Sequence, residues 1–161
     1  MDYRALLNCV VYLALLGIVS QFIGMRLPRR IFTGEGFLFK CRAAEKGGKI
    51  YEKLGVRHWK GIVPDMSKLF KKDMVPKSIK GSLSLERAML MQAETCVAEL
   101  IHLLLIIFAF PCLFIWHGVG GVTVFVLYAL GNTVFIIIQR YNRPRYAAVI
   151  DTLKKREQRT E

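Results

Sequence analysis

The chain has 161 residues, a formal charge of +12 and an apolar share of 53%. That length suits a single domain, 1–161, and excludes two globular units, while the apolar share is high for a soluble protein. The apolar residues lie in three solid blocks with the charges between them. Runs of about 20 residues match the length needed to cross ~30 Å of hydrocarbon, whereas a globular core breaks its apolar residues into short periodic stripes.

The first run goes from Leu6 to Met25 without a charge, with Arg4 before it. No small-x-small cleavage pattern precedes Met25-Arg26, and the run exceeds a signal core, so it is read as a retained signal anchor. Arg29 and Arg30 then suit the headgroup level, and the segment from Ile31 to Cys41, with Phe32, Phe37, Leu38 and Phe39, suits the interface. Glu45 to Gly55 reads as a short helix broken by glycine, followed by Val56-Arg57-His58-Trp59-Lys60 and a basic stretch broken at Pro64 and Pro76. A long helix is predicted to start at a Ser82 or Ser84 cap and to run without Pro or Gly as far as Pro111. It contains the second run, Leu100 to Trp116, whose one ionisable member is His102. The link from His117 to Gly121 carries no Lys or Arg and reverses the chain. The third run, Val119 to Ile138, is uncharged; Asn132 and Thr133 near its middle are expected to join helices by hydrogen bonding. Pro144 is expected to set a turn after this span.

The predicted fold is all-α, with about three transmembrane helices over 6–25, 97–116 and 119–138, a basic interfacial segment 26–96 and a basic tail 139–161. Residues 26–80 hold fifteen Lys/Arg against five Asp/Glu, and the tail holds seven against three. Basic loops stay in the cytoplasm, and both segments do so together if the N-terminus is outside and the C-terminus inside. The charge is thereby assigned to an anionic leaflet, not to nucleic acid. Cys9, Cys41, Cys96 and Cys112 form no CxxC pair and are expected to be reduced thiols.

Gln92, Thr95, Glu99 and His102 are spaced three, four and three apart, which puts them on one helix face. Glu99 and His102 sit where that helix enters the apolar layer, where an ionisable pair is costly unless it faces protein or a polar cavity. One turn apart, they are placed for a hydrogen bond that would orient the imidazole as a general base. The plain alternative is a pair that snorkels or ties the hairpin together. A metal needs more ligands than one Glu-x-x-His supplies, so none is expected. After the third run comes Gln139-Arg140-Tyr141-Asn142-Arg143-Pro144-Arg145-Tyr146. Three guanidinium forks within six residues suit phosphate or carboxylate, with Tyr141 and Asn142 as added donors, although a positive-inside anchor has similar composition. Trp59 and Lys60 suit a headgroup-level position and an anionic ligand respectively, or simple anchoring.

The stretches Glu45 to Lys49, Arg57 with Trp59-Lys60, Glu94-Thr95, Ala98 to His102 and above all Gln139 to Arg145, with the basic run Leu153 to Arg156, resemble the glycosyl-4,4'-diaponeurosporenoate acyltransferase family, in order and over most of the chain. The resemblance implies transfer of a fatty acyl group to a sugar hydroxyl of a glycolipid such as a glycosylated carotenoid, in the cell membrane. On this reading His102 and Glu99 are catalytic, and Arg140, Tyr141, Asn142, Arg143, Arg145, Trp59, Lys60 and Thr95 bind substrate at the cytoplasmic leaflet. The partners are membrane lipids, the glycolipid acceptor and an acyl donor; no cofactor is expected, the donor (acyl-CoA, acyl carrier protein or a phospholipid) being a co-substrate. Two rivals remain open: a small membrane methyltransferase acting on a lipid or polyprenyl substrate, and a non-catalytic subunit that binds anionic lipid.

Overall fold

The computed structural model describes residues 2–61 and 84–160, so Pro64, Pro76 and Ser82 lie outside the described residues. The described residues are helical and contain no strand. Three helices are long and apolar enough to cross a membrane: Tyr3–Arg26, Leu85–Ile115 and Val119–Arg159.

Helix α1 (Tyr3–Arg26) opens on Asp2, whose carboxylate accepts the Arg4 and Ala5 amides at 3.1 Å each. It stops at Leu27, which is extended because Pro28 follows. Leu7, Val10, Leu15, Ile18 and Phe22 all lie on its exposed surface. An uncovered apolar face of that extent fits lipid, not water. Two short 3-10 stretches follow, Arg29–Ile31 and Ala43–Gly48, then α2 (Lys49–Glu52) and α3 (Val56–Trp59). The glycines at 48 and 55 take positive φ and start α2 and α3, so the helix expected over 45–55 is present as the end of the second 3-10 stretch and the single turn α2.

Helix α4 (Leu85–Phe108) is capped by Ser84, whose Oγ accepts the Arg87 amide at 3.3 Å. A turn at Pro111 leads into α5 (Cys112–Ile115). The reversal that follows needs glycine: a Cβ on Gly121 would lie 2.0 Å from the Trp116 carbonyl oxygen. Helix α6 (Val119–Thr160) then runs back along α4 and, with 42 residues or about 63 Å at 1.5 Å per residue, is far the longer of the two. Here the expected turn at Pro144 is overturned, since the helix continues through it. Proline removes one helix hydrogen bond, but Arg140, Arg143 and Arg145 on both sides are tied to neighbouring elements and hold the backbone in line.

The α4–α6 hairpin is the most extensive helix pair, and α1 lies more lightly against it. Gly24 lets α1 approach Ile101, and Tyr12 donates its hydroxyl to the Phe108 carbonyl at 2.6 Å, satisfying an orphan at the end of α4. On the side of the short helices, Phe32, Ala93, Cys96 and Val97 form a small core with Leu27, Phe39, Leu100 and Ile101 around it. This core fixes the segment 29–60 over one end of the hairpin, where the charged residues converge.

Candidate active site

At that end, four side chains of alternating charge lock three parts of the chain together. Arg140 on α6 donates Nε to Glu45 Oε1 at 2.5 Å and Nη2 to Glu45 Oε2 at 3.1 Å. Its Nη1 reaches Glu99 Oε1 on α4 at 2.5 Å and the Leu38 carbonyl at 3.2 Å. Arg143, one turn on, takes the other Glu99 oxygen through Nη2. Its Nε donates to Thr95 Oγ1 at 3.0 Å, Nη2 to the Thr95 carbonyl at 3.1 Å, and Nη1 to the Phe39 carbonyl at 2.7 Å. Glu99 is 1% exposed and Arg143 4% exposed, so these are desolvated, charge-assisted bonds. Two arginines and two carboxylates leave this cage with no net charge.

Glu45 also accepts the Tyr51 hydroxyl and the Arg42 amide, the latter at 2.6 Å. Burial alone would raise its carboxyl, but the bonds from Arg140, Tyr51 and Arg42 outweigh burial and hold it at about 2. Burial, and then the Glu45 carboxylate, push the Tyr51 phenol up to about 12.

A second cluster sits beside the cage. Tyr141 is 3% exposed, and the Arg145 guanidinium lies over its ring at 3.5 Å. Arg145 also donates to Glu52 at 2.6 Å. The Lys60 ammonium is 4.7 Å from the same ring and 3.2 Å from Asn142 Oδ1. Burial lowers the Lys60 pKa first, and the charges of Arg145 and Arg57 lower it further.

Deeper between α4 and α6, His102 reaches across to α6. Its Nδ1 is 2.8 Å from Asn132 Oδ1, and its ring stacks on Phe135 at 4.7 Å between centroids and 5° between planes. The Asn132 amide nitrogen donates to the Tyr128 carbonyl at 2.9 Å. The expected Glu99–His102 hydrogen bond is therefore not made. Two guanidinium groups outcompete a neutral imidazole for a buried carboxylate, and the imidazole turns to the asparagine instead.

The profile of the glycosyl-4,4'-diaponeurosporenoate acyltransferase family matches residues 28–152. The protein of that name from Staphylococcus aureus strain MRSA252 is 31% identical over 154 residues, covering 94% of this chain and 91% of the relative. Those of strains bovine RF122 and USA300 are 30% identical over the same coverage. The chain belongs to the glycosyl-4,4'-diaponeurosporenoate acyltransferase family. The resemblance read from the sequence is thus shown, and with it the expectation of an acyltransferase. No solved structure matches the chain.

The matched stretch takes in every side chain of the cage, together with His102 and Asn132. Of the site residues expected for this acyltransferase, Thr95, Glu99, Arg140 and Arg143 come together in the cage. Lys60, Tyr141, Asn142 and Arg145 meet in the neighbouring cluster. Trp59 stands apart from both, donating Nε1 to the Leu54 carbonyl at 2.8 Å within its own loop. Glu45, Glu52 and Tyr51 were given no role from sequence, and neither was Phe135. The available signal was Glu45 and Glu52, two acids seven residues apart in a basic run opposite three arginines. Among the described residues, no group of three or more His, Cys, Asp or Glu could hold a metal.

Proposed function

We propose that this acyltransferase moves a fatty acyl group from an activated ester or thioester donor to a sugar hydroxyl of a glycosylated carotenoid or a like glycolipid, at the cytoplasmic leaflet of the cell membrane. The observation that carries the reading is His102, held at Nδ1 and on one ring face, with Nε2 without a partner among the described residues. Nε2 takes the proton of the sugar hydroxyl as its oxygen attacks the acyl carbonyl carbon. The tetrahedral intermediate collapses, the bond to the leaving group breaks, and the imidazolium returns the proton to that group.

The engaged forks of Arg140 and Arg143 give these residues a framing role: they hold the segment 29–60 over the hairpin. The cation that suits the donor's anionic group is Lys60, beside Arg145 and Arg57 and without a carboxylate of its own among the described residues. The basic segments support an orientation with the N-terminus outside and the C-terminus inside. Exposed apolar faces of α1 and α6 suit the acyl and polyene chains.

Comparative lipid mass spectrometry tests the proposal, with glycolipid acceptor supplied and membrane levels matched by blot. Wild type should yield a product heavier by one fatty acyl unit, and His102→Ala should yield none. Equal product from His102→Ala would remove the base, and no acylated product from wild type would remove the reaction.

A further inference from the structure

Asn132 sits 7% exposed on α6, within an apolar run, and its two amide atoms face different partners. One faces the Tyr128 carbonyl oxygen at 2.9 Å. A carbonyl only accepts, so the atom facing it is the NH2 group. The amide oxygen is then the atom that faces His102 Nδ1 at 2.8 Å. An amide oxygen also only accepts, so Nδ1 carries the hydrogen. A flipped amide would set its oxygen against the Tyr128 oxygen, two acceptors facing each other with no hydrogen between them. With its proton on Nδ1, a neutral imidazole has its lone pair on Nε2.

The remaining restraints act on the same ring. Phe135, one turn along α6 from Asn132, stacks on it within 5° of parallel and fixes its plane. Glu99, one turn away on α4, is consumed by Arg140 and Arg143 and is not the partner that sets the tautomer. We propose that Asn132 is the positioning residue of this enzyme's base, holding His102 as the Nδ1–H tautomer so that Nε2 is delivered as the proton acceptor. The inference rests on His102 as the base, and it assigns to Asn132 a task beyond joining two helices.

The test is tautomer-resolved 15N NMR of the full-length enzyme, labelled in histidine and reconstituted in lipid nanodiscs. His58→Gln and His117→Gln together leave His102 as the single histidine. At a pH where the ring is neutral, Nδ1 should resonate as a protonated, pyrrole-like nitrogen and Nε2 as a pyridine-like one. Asn132→Ala should lose that preference and lower kcat on the order of 10²-fold with KM little changed, the low end of what a general base contributes. Asn132→Asp, which keeps an acceptor at the same place, should keep the tautomer. An Nε2–H tautomer in the protein with Asn132 intact overturns the proposal without any need for the Ala variant to fold. Full activity in His102→Gln beside an intact Nδ1–H spectrum would instead sink the base and leave the asparagine contact standing, so the two failures are distinct.

Discussion

Arg143→Lys retains the charge and removes the fork, so it isolates what the geometry contributes. Arg143 makes three bonds to neutral acceptors, Thr95 Oγ1, the Thr95 carbonyl and the Phe39 carbonyl, in addition to its pair with Glu99. A lysine ammonium in the same space retains the pair with Glu99 and loses the other three. At about 1 kcal/mol each, and somewhat more because the donor is charged, the loss is about 3–4 kcal/mol. For a chain of this size that corresponds to a fall of roughly 6–15 °C in melting temperature. Three of the four free cysteines, Cys9, Cys96 and Cys112, are buried, so a thiol-reactive fluorophore reports the melt in detergent or nanodiscs. Arg30→Lys, on the exposed surface, serves as the control and should not shift. A melt of Arg143→Lys that matches this control, combined with a large rise in KM, would refute the cage and return Arg143 to substrate binding.

The Glu45 carboxyl titrates at about 2 in the fold against 4.5 when free. Its contribution to stability is therefore complete above pH 4.5 and is lost as pH falls from there towards 2, so wild type should lose melting temperature across that window more steeply than Glu45→Gln. Gly48 has φ +85 and would place a Cβ 3.3 Å from the Tyr141 carbonyl oxygen, whereas Gly47 has φ +66 with open space around it. Gly47→Ala should cost about 1–2 kcal/mol of backbone strain, and Gly48→Ala should melt lower still because the α6 contact is pushed apart as well. Cys41 is the one exposed thiol, so a membrane-impermeant maleimide should add one label per native chain, in inverted vesicles but not in sealed right-side-out ones. Labelling from the outer face would reverse the proposed orientation.

The helical spans were legible because lipid demands a long run of apolar residues, and the cap of α4 was legible as Ser82 or Ser84 because capping chemistry is local. The same holds for the hairpin, whose turn is forced by Gly120 and Gly121 packing against Trp116. The partner of Glu99 was not legible. Its sequence neighbour His102 is one turn away, but Arg140 and Arg143 are about forty residues distant and reach it only once α6 has folded back along α4. Asn132 was seen as a helix-joining residue, and it is one, but the identity of its partner depends on the same register. Pro144 misled because local rules forbid it mid-helix, while the anchored arginines that override those rules act through tertiary contacts. Glu45 was hidden by its surroundings, since an acid in a basic run reads as dilution of charge until its partner is known.

The cancellation of charge within the cage bears on how such chains can drift in sequence. Glu45, Glu99, Arg140 and Arg143 come from three separated stretches and pair in one line, Glu45 with Arg140, Arg140 with Glu99 and Glu99 with Arg143. Loss of Glu99 takes the carboxylate from Arg143 and loss of Arg140 takes the guanidinium from Glu45, whereas loss of Glu45 or Arg143 leaves the inner Arg140–Glu99 pair intact. Single steps at the two inner positions are therefore the costly ones, and an inner acid is given up most cheaply together with the inner base. Among relatives, a change at Glu99 or Arg140 is therefore expected to be accompanied by a change at the other.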